Sequence, residues 1–533
     1  MPAKRIKIDH HSYVPNGEPS PAFSRPVAQP KSQISTPLPV QEMPRIPDSV
    51  LGQAWQTDPY VTDPQSINAV ITHFFAHINS TMIIQFLPEQ ATRAWVANSV
   101  HRKSPEDLVL LYSLLALGVA LSGGPKHIAY EYAQVAQYGQ KVTEKNCLQL
   151  AQSRILLAVY YTLVSRRCEA EMMMSAAAST AVSLKLNLEL DKTGEANSTS
   201  FPLGLNRAGY SEARRRTLWS LFMLERLGGL FPDRLTMINP GDIYLRLPAD
   251  PRTFEEQMDS NVPFFSPEDS SFSKASDHLY DGVRYMVDMV HIWSECQASV
   301  YRLLHRPASR ETEAVRVRSL VGALERWQSA LPKGLSSSRF NLEAAAVGGN
   351  LGSYLTMHLL YHHAMIKLYR HIRMPQQLSG ETRWNHVQRC QEHATRIFDI
   401  ADNLDHLLRA RTTNPSSPPP IVATAIAEAV DVLSASRQLG QVHNVLESVR
   451  IMKPLVDATA NIWVESHGAR FALEQRLHAL NRIRDRGPLL SSPGEGFRLT
   501  SKYEGPKDEK SVYWEMTEPM DKTFAKELDI FYC

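Results

Sequence analysis

Apolar residues recur at helical spacing through most of the chain, beginning near Pro64. Ile67, Val70, Ile71 and Phe74 occupy positions i, i+3, i+4 and i+7, the pattern of one face of an amphipathic helix. The same periodicity predicts further helices at 106–122, 126–145, 148–165, 168–187, 274–306, 310–331, 348–373, 381–409, 419–438 and 442–484. No stretch alternates apolar and polar residues convincingly, so we predict an all-α body.

Two of the predicted helices, 148–165 and 168–187, alternate small and large apolar residues. Their sequences include LAQSRILLAVYYTLV and AEMMMSAAASTAVSLKL. Because alanine lets helix backbones approach closely, the pattern favours a large multi-helix domain of antiparallel helical hairpins. A helical-repeat solenoid would share these features, but no fixed period is sustained along the chain.

Both ends of the chain differ in composition from the helical body. Residues 1–60 are dense in Pro, Ser and Gln and poor in large apolar residues, so we expect them to be disordered. A proline-rich connector at 414–420 separates the main body, 65–410, from helices within 419–486 that we expect to pack on it. Residues 487–533 follow as an irregular acidic and aromatic tail.

Composition narrows the range of functions. Hydrophobic residues make up 43% of the chain, charged residues 21%, and the net charge is +2, which predicts a globular protein without a nucleic-acid-coating surface. The five cysteines are too far apart for a disulfide framework or a close-spaced zinc site, so a reduced intracellular compartment fits best. The longest apolar run, Leu108 to Leu121, is too short to cross a bilayer, and we expect no membrane partner.

The most informative segment is 211–248, after a polar loop at 190–209. Ser211 has the chemistry of a helix N-cap before EARRRTLWSLFMLERLGGLF, and MINPGDIYLRLPAD then predicts an extended segment. This segment resembles the middle homology region of fungal transcription regulators, which usually accompanies a binuclear zinc cluster. The residues that carry the resemblance are Arg215, Arg216, Trp219, Glu225, Arg226, Asp242, Ile243, Leu247 and Pro248.

The segment departs from the family pattern in three places. Leu218 replaces the first aromatic residue, and Glu225 replaces the usual aspartate. Residues 233–235, Asp-Arg-Leu, replace a Gly-Arg-Pro turn, which puts the geometry of that turn in doubt.

Two interpretations of the three consecutive arginines are possible. In the first, they hold an internal polar network, with Arg215 one turn from Glu212 and stacked on Trp219. In the second, Arg214, Arg215 and Arg216 contact DNA phosphates. The first is favoured, because consecutive helical residues point in different directions.

The family's DNA-reading module uses six closely spaced cysteines, beginning C-x2-C-x6-C, and this sequence has no such set. We therefore assign no cofactor and no metal ligand to the chain. The resemblance leaves two possibilities. The protein reads DNA through a DNA-bound partner or by self-association, or the missing module lies upstream of a misassigned start.

The chain begins MPAKRIKIDHH, in which Lys4, Arg5 and Lys7 fit the pattern of a monopartite import signal. This predicts binding to a nuclear import receptor and a location in the nucleus. Alternatively, the same basic stretch is the start of the linker that follows a zinc cluster in the family.

Other candidate chemistry is weak. His73 with His77, and His358 with His362, have spacing that allows metal chelation on a helix, but no third ligand is apparent, so we expect core or interface histidines. SGGPKH at 122–127 follows no strand and predicts a helix connector rather than a phosphate loop. No nucleophile, base and orienting group assemble, so we expect no catalytic residue and no enzyme.

The resemblance implies a transcription regulator of a metabolic or secondary-metabolite gene cluster. In the tail, Trp514, Phe524 and Phe531 lie among acidic residues, which favours contact with transcription co-regulators. A terminal helix docked on the body is the alternative for that tail. For the whole chain, the alternatives are a cytoplasmic helical-repeat scaffold and an all-α enzyme with no recognisable motif.

Overall fold

A computed structural model describes most of the chain between Pro44 and Arg486. The described ranges are 44–98, 102–228, 236–267, 282–305, 310–371, 380–410, 418–434, 439–463 and 466–486. The predicted import signal and the predicted co-regulator contacts lie outside these ranges, namely Lys4, Arg5, Lys7, Trp514, Phe524 and Phe531.

The described residues form α-helices and no β-strand, which confirms the all-α prediction. The helices are α1 Asp48–Ala54, α2 Pro59–Thr62, α3 Pro64–Thr81, α4 Glu89–Ala97, α5 Pro105–Leu121, α6 Lys126–Val142, α7 Leu148–Leu163, α8 Arg167–Ser183, α9 Arg207–Leu227, α10 Pro251–Glu255, α11 Gly282–His305, α12 Arg310–Ala330, α13 Arg339–Val347, α14 Leu351–His371, α15 Gly380–Ala410, α16 Ile421–Ser434, α17 Leu439–Ile462 and α18 His467–Arg486. No helix within these ranges is both long and apolar enough to cross a membrane.

Helix α5 lies at the centre of the first part of the body. Ser104 and Asp107 form a reciprocal capping box at its start, and Pro105 occupies the first turn. Nearly every residue of α5 is buried, because α3, α6 and α7 pack around it. The short connections from α5 to α6 and from α7 to α8 reverse the chain, so these helices form the predicted hairpins. Close packing is strict at Gly118, where a Cβ atom would lie 2.7 Å from a methyl carbon of Val70.

The second part of the body is centred on α14, which packs against α11, α15 and α16. Helices α16, α17 and α18 contact one another. The two parts meet where α3 contacts α14, and there the Gly352 amide donates to the Ser80 hydroxyl at 3.1 Å. Helix α9 adjoins both parts, since it contacts α7 and α8 on one side and α11 on another.

Four details of the predicted helices are wrong. Helix α1 lies inside the first 60 residues and α2 begins there, so the folded body includes part of the segment predicted to be disordered. Helix α9 begins at Arg207 rather than after Ser211, because the Asn206 side chain accepts a hydrogen bond from the Gly209 amide. The single helix predicted over 442–484 is two helices, and the short α4, α10 and α13 were not predicted.

Candidate functional site

Helix α9 contains the first part of the segment 211–248, and most of its residues are buried. Arg214, Arg215 and Arg216 are 2%, 6% and 2% exposed, which is rare for a residue that is always charged. Burying such a side chain is costly unless carboxylates and carbonyls satisfy it. The hydrogen-bond partners of these arginines therefore explain how α9 can bury three charged side chains.

Arg215 lies between two carboxylates. It donates from Nε and Nη2 to both oxygens of Glu189, at 3.2 and 2.8 Å, and from Nη1 to Glu212. Burial lowers the pKa of Arg215, but the nearby Glu212 and Glu189 outweigh that effect and raise the pKa overall. The guanidinium is thus held charged inside the protein.

Arg216 joins three segments that are distant in sequence. Its Nε donates to Glu212 at 2.8 Å, its Nη1 donates to the backbone and side-chain oxygens of Gln85, and its Nη2 donates to the carbonyl of Ala249 at 2.6 Å. The guanidinium also lies over the ring of Phe254, 4.5 Å from its centroid. Arg216 therefore ties the loop before α4 and the loop before α10 to α9.

Glu212 is the carboxylate shared by the two arginines. In addition to Arg215 and Arg216, it accepts a hydrogen bond from the Ala249 amide at 2.8 Å. Ala249 thus donates to Glu212 and accepts from Arg216, which fixes the backbone at this point. Glu189 has a similar double role, since it also accepts from the Arg246 amide at 2.8 Å.

Arg214 points to the loop that precedes α9. Its Nη1 donates to Glu195 at 2.6 Å, and its Nη2 donates to the carbonyl of Leu184 at 2.9 Å. Tyr210 donates its hydroxyl to the same Glu195 oxygen at 3.1 Å. The three arginines thus face different segments, as expected for consecutive helical positions.

The rest of α9 holds the extended segment 236–250. Trp219 donates from Nε1 to the carbonyl of Arg246 at 3.0 Å. Glu225 accepts from the amides of Met237 and Ile238, and Arg226 donates to the Ile238 carbonyl at 2.7 Å. These bonds supply backbone partners to a segment that belongs to no helix beyond one short turn.

Arg226 is paired with its neighbour on the helix. It donates to Glu225 at 2.8 Å, and its guanidinium carbon lies 3.9 Å from the ring centroid of Phe222. Burial lowers the pKa of Arg226, and Glu225 only partly opposes this effect.

Asp242 and Pro248 lie in the extended segment. Asp242 is exposed, and its carbonyl accepts from the Asn187 side chain at 2.9 Å, whereas Pro248 is buried. The same segment forms two isolated β-bridges, Leu188 with Tyr244 and Arg246 with Phe264. The family-motif residues of α9 thus pack against the extended segment that contains Pro248, whereas Asp242 lies at the exposed edge of that segment.

The stacking of Arg215 on Trp219 that the spacing suggested is wrong. The Arg215 guanidinium is directed to its two carboxylates, and Trp219 instead makes edge contacts with Phe222 and Phe265, with ring centroids 5.4 and 5.0 Å away. A phosphate-binding role for Arg214 to Arg216 also conflicts with their burial. A DNA backbone could not reach these guanidinium groups without opening the fold.

The candidate histidines form no metal site within the described residues, where no group of three possible ligands comes together. His358 and His362 are buried, while His73 is exposed. His77 is partly exposed, and its ring nitrogen lies 3.2 Å from the His73 carbonyl.

Three partners of the site were missed from the sequence. Glu189 and Glu195 lie in a loop before α9, and Gln85 is 131 residues from Arg216. No local spacing identifies them, because a loop carboxylate resembles any solvated one. Only Glu212, one helical turn from both Arg215 and Arg216, was recognisable.

Residues 71–329 match the model of the fungal specific transcription factor domain. The charged residues on and around α9, namely Glu189, Glu195, Glu212 and Arg214 to Arg216, lie inside the matched region. The match begins within α3 and ends in the last turn of α12.

Curated relatives have related names. A Zn(2)-C6 fungal-type transcription factor, FTF1c, of Fusarium oxysporum f. sp. lycopersici is 25% identical over 242 residues, which cover 43% of this chain and 25% of that protein. An uncharacterized transcriptional regulatory protein of Schizosaccharomyces pombe is 24% identical over 316 residues, covering 53% of this chain and 30% of that protein. The chain thus spans less than a third of the length of these relatives. No solved structure matches significantly.

Proposed function

We propose that this chain is a transcription regulator that acts by binding rather than by catalysis. The observation that carries the proposal is the fungal specific transcription factor domain at residues 71–329. The arrangement around α9 is compatible with a regulatory body, because its charged groups hold segments of the fold together. By analogy with the family, the regulated genes belong to a metabolic or secondary-metabolite cluster.

DNA reading is supplied by another module or another protein in this proposal. The Fusarium relative is named for a Zn(2)-C6 module, but the sequence of this chain has no closely spaced set of six cysteines. The burial of Arg214, Arg215 and Arg216 removes the strongest basic cluster of the domain from contact with phosphate. The residues of this sequence would therefore hold no zinc, and the chain would reach DNA indirectly, through a DNA-bound regulator, or through a module missing from this sequence; self-association is a further proposed contact.

Nuclear entry is assigned to Lys4, Arg5 and Lys7, which would bind an import receptor. Fusing residues 1–15 to a fluorescent reporter tests this assignment. We expect a nuclear reporter, and the same fusion with Lys4→Ala, Arg5→Ala and Lys7→Ala serves as the control. A reporter distributed identically with and without the three substitutions would remove the assignment.

Regulation is tested by fusing the full chain to a foreign DNA-binding domain upstream of a reporter gene. We expect reporter expression to change in either direction, and we expect the triple variant Trp514→Ser, Phe524→Ser, Phe531→Ser to weaken the change, since these aromatics would contact co-regulators. Chromatin occupancy of the native chain provides the second readout. A chain that leaves the reporter unchanged and never occupies chromatin would favour the scaffold or enzyme alternatives.

A further inference from the structure

Helix α13 presents an apolar face to solvent. Phe340 is 78% exposed and Val347 is 81% exposed, and Ala344 between them is also exposed. The three residues, here called the α13 stripe, follow the spacing i, i+4, i+7 and so form a line about 10 Å long on one side of the helix. The other side is buried through Leu342 against α14 and α15.

Large apolar side chains grouped on one exposed face mark an interaction site. The α13 stripe also lies in a basic part of the surface. Residues 318–347 carry four cationic side chains and two anionic ones. Arg339 pairs with Glu343 at 2.9 Å, whereas Arg326 and Lys333 are exposed and form no ion pair within the described ranges. Lys333 is next to α13, because its carbonyl accepts from the Asn341 side chain at 2.8 Å. A partner for this face should therefore be apolar on one side and acidic around it.

The sequence of this same chain supplies such a partner. Phe524, Leu528 and Phe531, here called the tail stripe, repeat the spacing i, i+4, i+7 of the α13 stripe. Between Glu504 and Cys533 there are eight acidic residues and four lysines, a charge of −4, of which residues 521–532 contribute three acidic residues and two lysines, a charge of −1. Both the apolar spacing and the charge thus complement the surface around α13.

The covalent connection favours this occupant over a separate molecule. Helix α18 ends at Arg486, and residues 487–520 separate it from the segment 521–532. A flexible linker of that length has a root-mean-square span of about 30 Å, which is comparable with the dimensions of a domain. Such a tether holds the segment at an effective concentration on the order of millimolar, which a second copy or a foreign protein would have to exceed.

We propose that residues 521–532 dock in cis as an amphipathic helix on α13, with the tail stripe against the α13 stripe. The acidic residues beside the tail stripe then lie near Lys333. Docking would exclude any other protein from Phe524 and Phe531 while it lasts. The contact does not depend on a role in transcription, so its test can fail or succeed independently of the proposed function.

Photo-cross-linking in the purified full-length chain tests the contact. We would introduce p-benzoylphenylalanine at position 340, irradiate, and map the cross-linked peptides by mass spectrometry. The expected result is a cross-link to residues 521–532 within a single chain, with a yield that does not change on dilution. A cross-link between two chains, or the absence of any tail peptide, would overturn the proposal.

Two controls make the result specific. The variant Phe524→Ser, Phe531→Ser should lower the yield of the cross-link by about tenfold, because two large apolar contacts are lost. The same photoprobe at position 182 provides a matched site, since Val182 is 77% exposed on α8 in a distant part of the sequence. Equal tail cross-linking from positions 340 and 182, or a yield that the double variant leaves unchanged, would show that the contact is nonspecific.

Discussion

The region around α9 and the histidine-rich face of α14 both bury titratable side chains. The buried arginines of α9 are charged, whereas the buried His358 and His362 of α14 are neutral. Around α9, Arg215 and Arg216 both donate hydrogen bonds to the carboxylate of Glu212. On α14, His358 and His362 have no carboxylate among the partners that the structure shows for them. Arginine stays protonated when buried, so carboxylate partners are needed to make its burial tolerable, whereas a buried histidine without such a partner can lose its proton.

The histidines of α14 are neutral for identifiable reasons. The ring Nε2 of His358 donates to the Leu335 carbonyl at 2.9 Å, and burial lowers the pKa of His358 to about 4. The Nδ1 atoms of His362 and His393 lie 2.9 Å apart, so one ring donates to the other. Burial lowers the pKa of His393 to about 4, and burial together with the neighbouring His393 holds the pKa of His362 well below its usual value.

His363 differs from His358 and His362 because a carboxylate lies close to its ring. Its Nδ1 accepts from Trp293 Nε1 at 3.1 Å, so the proton is on Nε2, which lies 3.3 Å from Glu428. Lys367 approaches the same Glu428 oxygen at 3.1 Å. A carboxylate is thus available on α16, but His363 shares it with a lysine.

The largest expected effect is the loss of the shared carboxylate. Glu212→Gln keeps the shape of the side chain but leaves Arg216 without a counter-charge, and we expect a loss of about 3–5 kcal/mol in the free energy of unfolding. Denaturant titration measures it. The matched control is Glu256→Gln, which breaks an exposed pair with Arg252 and should cost much less. Equal losses in both variants would show that the buried contacts of Glu212 stabilise the fold no more than an exposed ion pair does.

The buried histidines His358, His362 and His393 should make the free energy of unfolding depend on pH. In the unfolded chain a histidine has a pKa near 6.5, so the unfolded state binds more protons than the fold between pH 6.5 and about 4. Stability should therefore fall as the pH is lowered through this window. Each strongly depressed histidine should contribute about 2 kcal/mol of that loss at pH 5.

A variant isolates this contribution. His358→Gln retains a donor for the Leu335 carbonyl but cannot be protonated, so the free energy of unfolding should vary less steeply with pH. The control is His406→Gln, because His406 is largely exposed. If His358→Gln has the same pH dependence as the parent chain, His358 is not buried in the neutral state.

A smaller and more local effect is expected from Trp219→Phe. The substitution removes the donor to the Arg246 carbonyl and should cost about 1–3 kcal/mol. Amide hydrogen exchange should become faster in residues 244–250 in particular. Trp293→Phe, the equivalent change on the histidine side, should leave exchange in 244–250 unchanged, and the opposite pattern would contradict the assigned contacts.

Helices were predictable from the sequence where they are long and strongly periodic. The bounds of α5 to α8 agree with the predictions to within a few residues, because the apolar spacing of these helices is regular. The break between α17 and α18 was not predicted, since helical periodicity continues across it. It is stabilised by a contact that the sequence does not reveal, between the His467 ring and the Ala460 carbonyl at 2.9 Å.

The site was predictable only in part, and for a physical reason. The internal role of Arg215 and Arg216 followed from the nearby Glu212, because side chains three or four positions apart meet on a helix. The roles of Glu189 and Gln85 depend on tertiary packing, which no local spacing encodes.

Arg215 and Arg216, which share the carboxylate of Glu212, form an internal clamp that joins α9 to the loops around it. The most direct measurement is a double-mutant cycle for Glu212→Gln and Arg216→Gln, followed by denaturant unfolding of the two single variants and the double variant. We predict a coupling free energy of about 2 kcal/mol, because each substitution removes the partner of the other. Losses that add to within about 0.5 kcal/mol would contradict the clamp.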